Sequence, residues 1–409
     1  VTDDASQIRS RANAVLEMGT VLRAATIEER AHWLAQAAAI LARQVKDRVG
    51  ALSEATGLSI PMVKWASHTT LGTVRKDAML ALARQAQDAT GGAVDPIAML
   101  SLVLAGNVFT APVRGIVVPL LFGVPVLVKA SSRETIFPAM LRDALRRSDA
   151  RLGDAMDLVA FKGGERAREA TLVESADAVA VYGSDETIAA MAARLGATPL
   201  IAHGHGVSLA YCGAGALDDA HIGNTIMGLS LDISAYDQRG CLSPQLVYVQ
   251  ETPRLSVGDF AQRLAEQGLG PMSKTLPRGP LPASVGAAQA QWRGVAEVEG
   301  TLLVGDMYAV AVGRARSARW SPGYRNVTLV AVHGIDDAMR AMTPLGSNLK
   351  CVGADPASIP ELQMRLSKNP ALTGYACAMG EMQTPRLDAP ADGHPIWHGL
   401  FSKTPTRRR

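Results

Sequence analysis

The 409-residue chain has little net charge of either sign: 41 Lys and Arg stand against 38 Asp and Glu, interspersed, for a formal charge of +3. That removes the electrostatic case for nucleic acid or a membrane surface as a partner. The one basic run, Arg407 to Arg409, reads as a solvated tail. Cysteine is scarce, and Cys212, Cys241, Cys351 and Cys377 form no C-x-x-C pair. This argues against a zinc ribbon or a disulfide framework and for a reducing compartment. The most apolar stretch, Gly115 to Val128, is too short for a bilayer and contains Pro119 and Pro125. No basic-then-apolar signal segment opens the sequence, so a cytoplasmic protein is expected. G-x-G-x-x-G is missing as well, and an ordinary dinucleotide fingerprint is therefore not supported. There is no internal repeat.

What is present is a change of pattern near residue 95. Before it, long Ala, Leu, Arg and Glu stretches such as Thr26 to Val45 read as helices. After it, short apolar strands alternate with helical segments. The strands are Leu100–Leu104, Val126–Lys129, Leu158–Phe161, Ala178–Tyr182 and Pro199–Ala202, and the helices between them are Thr110–Phe122, Glu134–Arg147, Glu165–Glu174 and Glu186–Leu195. This is the pattern of an α/β, doubly wound parallel sheet. A further strand, Val207 to Cys212, and a helix, Ala216 to Ile233, lead to a second α/β unit. That unit has strands near Gln245–Val249, Thr301–Val304, Tyr308–Val312 and Thr328–Val332, with Leu269–Pro282 expected as loop. The expected organisation is a helical segment over 1–95 packed on the cofactor domain, a dinucleotide-binding domain over 96–234 and a catalytic domain over 235–370. A final segment, 371–409, returns to the cofactor domain or to an oligomer interface.

In such sheets ligands bind beyond the carboxyl ends of the strands. That rule selects Ala105-Gly-Asn107, Lys129-Ala-Ser-Ser132, Lys162-Gly-Gly164, Gly183-Ser184 and His203-Gly-His-Gly206. The Asn107 amide suits an oxyanion donor, or else a helix cap. Lys129 suits a ribose hydroxyl or phosphate, or a snorkelling strand end. Ser131, Ser132 and Arg133 follow it, and a basic residue after Ser132, where an acid would grip a ribose, allows NADPH, with NAD as the other candidate. Gly183-Ser184 opens a helix and suits a pyrophosphate, although Asp185 and Glu186 compete for the same helix end. His203 suits an acid/base role or a purely hydrogen-bonded one. With no third ligand at sensible spacing to His203 and His205, no metal is expected. Cys241 follows Arg239 and Gly240 at a helix-to-strand junction, where a reactive thiol is expected, although a buried structural cysteine is the alternative.

The order of these residues resembles the aldehyde dehydrogenase superfamily. More narrowly, Ala105-Gly-Asn107, Tyr236 to Gln245 and Cys377-Ala-Met-Gly-Glu-Met-Gln-Thr-Pro385 resemble the bacterial acyl-CoA reductase family that includes the fatty-acid reductase of bioluminescence. The resemblance covers about residues 95 to 400. It implies Cys241 as nucleophile, Asn107 as half of an oxyanion hole, Lys129 and Ser184 as cofactor contacts, and a homodimer or homotetramer. His203 stands where hydrolytic members carry the glutamate that activates water. The implied reaction is NADPH-dependent reduction of an acyl-CoA, or a similar thioester, to aldehyde through a cysteine acyl-enzyme. The rival readings are an NAD(P)-dependent aldehyde dehydrogenase that makes acid with His203 as base, and a non-catalytic nucleotide-binding scaffold.

Overall fold

The computed structural model describes residues 2–92, 95–313 and 319–402; the basic run 407–409 lies outside them. Four helices come first: α1 (Ala5–Ala24), α2 (Ile27–Thr56), α3 (Ile60–Gly72) and α4 (Lys76–Thr90). Asp4 with Gln7 and Thr26 with Glu29 form capping boxes at α1 and α2, each satisfying two otherwise orphaned N–H groups. The first sheet follows, with β1 (Leu100–Val103), α5 (Pro112–Leu121), β2 (Val126–Lys129), α6 (Ile136–Ser148), α7 (Ala150–Asp154), β3 (Met156–Val159), α8 (Arg166–Glu174), β4 (Ala178–Tyr182), α9 (Asp185–Ala192) and β5 (Leu200–His203). All five strands are parallel, in the order β3-β2-β1-β4-β5. Helices on both sides explain the near-continuous apolar strands. Leu100, Leu102, Val126 and Val128 join the core beneath α2, α5 and α6. Met99, Val103, Leu127 and Val179 face α1, α8 and α9.

The second sheet has seven strands in the order β12-β11-β6-β7-β10-β9-β8. They are β6 (Val207–Cys212), β7 (Pro244–Gln250), β8 (Thr301–Val304), β9 (Ala309–Gly313), β10 (Asn326–Val332), β11 (Leu349–Ala354) and β12 (Tyr375–Ala378). All pairings are parallel except β8 with β9.

The expected start of the second unit at 235 needs correction. β6 already pairs with β7 and β11, and α10 (Ile222–Ser234) packs on the second sheet's core. Only Gly204-His205-Gly206 separate β5 from β6, too few for the crossover that a further parallel strand of the first sheet would need. Helix α10 also starts six residues later than its apolar pattern begins, because the Asp218 carboxylate accepts from the Ala220 and His221 N–H groups and holds a turn there. The expected loop Leu269–Pro282 contains a helix over Gly270–Thr275 with Pro271 in its first turn. β11 and β12 were not expected at all. After β12 the chain crosses back to the first sheet, where Ile97 N–H donates to the Leu400 carbonyl at 3.0 Å and Pro96 bridges Phe401.

Candidate active site

The segment carrying Cys241 leaves α10 through a turn in which Tyr236, Asp237 and Gln238 all have positive φ (51°, 54° and 58°). A left-handed L-residue costs roughly 1–2 kcal/mol, so three in a row must be held by their surroundings. The Tyr236 hydroxyl lies between Thr110 Oγ1 at 2.6 Å and Thr70 Oγ1 at 3.3 Å. Asp237 pairs with the fully buried Arg325 at 2.7 Å and accepts from Gly279 N–H at 3.0 Å. Gln238 Nε2 donates to the Pro244 carbonyl at 2.7 Å, and Ser208 Oγ donates to the Cys241 carbonyl at 2.8 Å. Arg239, the neighbour that seemed placed to activate the thiol, turns away. Its guanidinium donates to the Thr56 and Tyr236 carbonyls.

Asn107, Arg133, Gly183, Ser184, His203 and Cys241 line one cleft of about 490 Å³ between the two sheets. The exposed Asn107 spends one N–H on the Arg239 carbonyl at 3.2 Å, leaving the other available. Gly106 beneath it allows a close approach, since a Cβ there would meet Ser131 Oγ at 2.5 Å and force that side chain to move. His203 stacks on Tyr182 with ring centroids 4.2 Å apart, and its Nδ1 lies 2.7 Å from Asp392 Oδ2. The other Asp392 oxygen takes the Lys350 ammonium. Burial alone would raise the Asp392 carboxyl, but His203 and Lys350 outweigh it and hold its pKa below the usual value. The Cys241 thiol reaches solvent. Even so, loss of hydration in the cleft pushes its pKa up, and Asp392 adds to this while Lys350 pulls the other way. The cation acting on the thiol is therefore Lys350, not Arg239. Gly206 gives the Lys350 stem its path, because a Cβ there would meet Lys350 Cε at 2.0 Å.

The residues expected to hold a dinucleotide are split. Gly183, Ser184 and the exposed Arg133 face the cleft, whereas Lys129, Ser131 and Ser132 are not among its walls. Lys129 is buried with its ammonium 5.3 Å from the Phe161 ring centroid and, among the described residues, has no carboxylate within 4 Å. Burial lowers its pKa, with Glu169 opposing. A desolvated, unpaired ammonium beside the strand end fits an anionic or hydroxylic ligand. Ser184 caps α9 by accepting from Thr187 N–H at 3.3 Å, and Asp185 in the same turn accepts from His205 N–H at 3.1 Å. Ser131 packs on Gly106 and accepts from Arg133 N–H at 3.3 Å. His205 thus faces a different partner from His203, and no group of three or more His, Cys, Asp or Glu among the described residues is arranged to hold a metal.

Lys350 and Asp392 were missed by sequence reasoning. Lys350 is the second residue of an unforeseen strand, and Asp392 sits before Gly393 in a loop where an aspartate reads as a turn residue. No local pattern marks either one. Among the described residues no helix is long and apolar enough to cross a membrane.

The fold is that of aldehyde dehydrogenases. Aldehyde dehydrogenase 21 of Physcomitrella patens, solved with the product succinate, matches with a TM-score of 0.70 at 15% identity, over 96% of this chain and 86% of that one. Aldehyde dehydrogenase C of Pseudomonas syringae, solved with NAD+ and octanal, matches at 0.68 and 15% identity, over 92% and 82%. The NADP-dependent glyceraldehyde-3-phosphate dehydrogenase of Bacillus halodurans, solved with NADP, matches at 0.67 and 16%, over 92% and 84%. Comparison with curated protein sequences gives no match. The family model described as acyl-CoA reductase (LuxC) matches residues 76–396, most of the sequence and all of the cleft's lining except Thr70 and Thr73. The chain therefore belongs to the acyl-CoA reductase (LuxC) family and is an aldehyde-forming acyl reductase on an aldehyde dehydrogenase fold.

Proposed function

We propose that this reductase takes the acyl group of an acyl-CoA onto Cys241 and releases it as the aldehyde. The observation that carries the reading is that Cys241 and Asn107 share one cleft with a His203 whose other ring nitrogen is held by Asp392. A thiol with a raised pKa needs a base, and an imidazole oriented by a carboxylate is the usual answer. His203 accepts the thiol proton, and the thiolate attacks the thioester carbon. The second Asn107 N–H and the Cys241 backbone N–H stabilise the oxyanion. The tetrahedral species expels CoA thiolate, which takes the proton back from His203 and leaves as the free thiol. Lys129, Ser131, Ser132, Arg133, Gly183 and Ser184 are the residues we assign to a bound nicotinamide dinucleotide. When bound it supplies the hydride to the acyl carbon, and Arg133 in place of an acid favours NADPH. Collapse of the resulting thiohemiacetal oxyanion gives the aldehyde and regenerates the Cys241 thiolate.

By the family resemblance we also take the protein to act as a homo-oligomer, and the four scattered cysteines support a reducing, cytoplasmic setting. The test is intact mass after incubation with acyl-CoAs of several lengths, with Cys241→Ala as control, followed by NADPH or NADH. An adduct on the wild type alone, discharged as aldehyde faster by NADPH, is the expected result. Brisk release of free acid from aldehyde and NADP without CoA would instead establish an oxidising dehydrogenase.

A further inference from the structure

A second cavity, of about 250 Å³, adjoins the catalytic cleft on the α5 face of the first sheet, beneath the crossing segment 391–400. Part of its wall is hydrocarbon, including Val118, Ile201 and Leu400, and the mouth where it meets the cleft is shared through Arg114, Tyr182, His203 and Asp392. The acids do not balance this mouth. Asp392 is already engaged by both His203 and Lys350.

Arg114 is left without a counter-ion. Among the described residues its guanidinium makes one hydrogen bond, from Nη2 to the neutral carbonyl of Ala389, and its buried Nε has no partner. Asp388, the one carboxylate acting on it, is held in a two-pronged pair with Arg386, both contacts at 3.0 Å. A cation taken out of water with no anion beside it is expensive to keep, and a site of this kind is completed by an anionic ligand. A planar guanidinium suits a carboxylate in particular.

Building on the acyl-transfer reading above, we propose that this cavity receives the acyl group and that Arg114 at its mouth selects acyl thioesters bearing a second carboxylate, the monothioesters of dicarboxylic acids. The hydrocarbon wall takes the methylene spacer, and the guanidinium takes the terminal carboxylate. A neutral acyl chain of equal length leaves the cation unpaired, which is the type of mismatch that discriminates most strongly between substrates.

The experiment compares kcat/KM for succinyl-, glutaryl- and adipoyl-CoA with butyryl-, pentanoyl- and hexanoyl-CoA, pair by pair. In the wild type at least one dicarboxylyl member should exceed its neutral partner tenfold or more. In Arg114→Met that ratio should fall at least tenfold, and Arg114→Lys should keep part of it. Neutral partners preferred at every length, or a ratio unchanged in Arg114→Met, would overturn the proposal. Equal loss on both members with a raised KM for CoA would assign the guanidinium to a CoA phosphate and overturn it too. A second readout needs neither the variant nor catalysis: adipate should raise the melting temperature of the wild type more than hexanoate does at the same concentration. Equal shifts count against the proposal even if no thioester acylates Cys241, an outcome that by itself would sink only the acyl-transfer reading.

Discussion

The two walls of the cleft are built in opposite ways. On the first-sheet side Asn107, Gly183 and His203 lie at or just beyond the ends of β1, β4 and β5, where the parallel strand order puts a crevice. On the other side Cys241 follows three left-handed residues, and the groups that tune the cleft, Lys350 and Asp392, arrive from an internal strand and a returning loop. One wall is a by-product of topology. The other is assembled by long-range contacts, so damage far from the thiol should reach it.

The sharpest test of that contrast is the thiol itself. Cys241→Ala should abolish aldehyde formation and the mass adduct while leaving the fold intact, since Cys241 spends only its backbone carbonyl on a neighbour, Ser208. If the second wall depends on remote packing, Arg325→Met should destabilise the protein by about 3–5 kcal/mol in denaturant titration, because Asp237 is left charged and buried beneath the turn. An effect below about 1 kcal/mol would break the comparison. On the first wall, Asn107→Ala should lower kcat by about a hundredfold with little change in stability, because its amide is exposed and makes a single hydrogen bond.

Asp392→Asn tests the bridge between the walls and should lower kcat by about tenfold. It should also cost about 2 kcal/mol of stability at neutral pH. Because the folded carboxyl titrates below its unfolded value, that contribution is complete above about pH 4 and is lost as the pH falls through the folded pKa. The gap between wild type and variant should therefore close in acid. The smallest effect is expected from Lys350→Met. Removing this cation should raise the thiol pKa further and slow iodoacetamide alkylation of Cys241 a few-fold at neutral pH.

The same contrast explains what the sequence could disclose. The first sheet was readable because strand, helix and strand-end chemistry recur within about thirty residues, and all five expected strands form. Cys241 stood out by its glycine and its junction, and the structure places it in the cleft wall. The boundary between the sheets was not, because a strand of apolar residues such as Val207–Cys212 carries no mark of which sheet it joins; the three-residue link does. Lys350 was hidden in the short strand Leu-Lys-Cys-Val-Gly-Ala, which has no clean apolar alternation, and Asp392 in a turn. Arg239 misled, since adjacency along the chain says nothing about the direction of a guanidinium, and here backbone carbonyls claim it.

The Asp237–Arg325 pair beneath the thiol's turn has a further meaning. Both side chains are almost wholly shut off from solvent, at 2% and 0% exposure, whereas pairs such as Arg75–Asp77 on the surface are about two-thirds open. Mobile ions screen the second kind and do not reach the first. The turn that carries Cys241 is thus fastened by an electrostatic lock that ionic strength cannot loosen, and salt should weaken contacts to charged ligands in the cleft without moving its thiol.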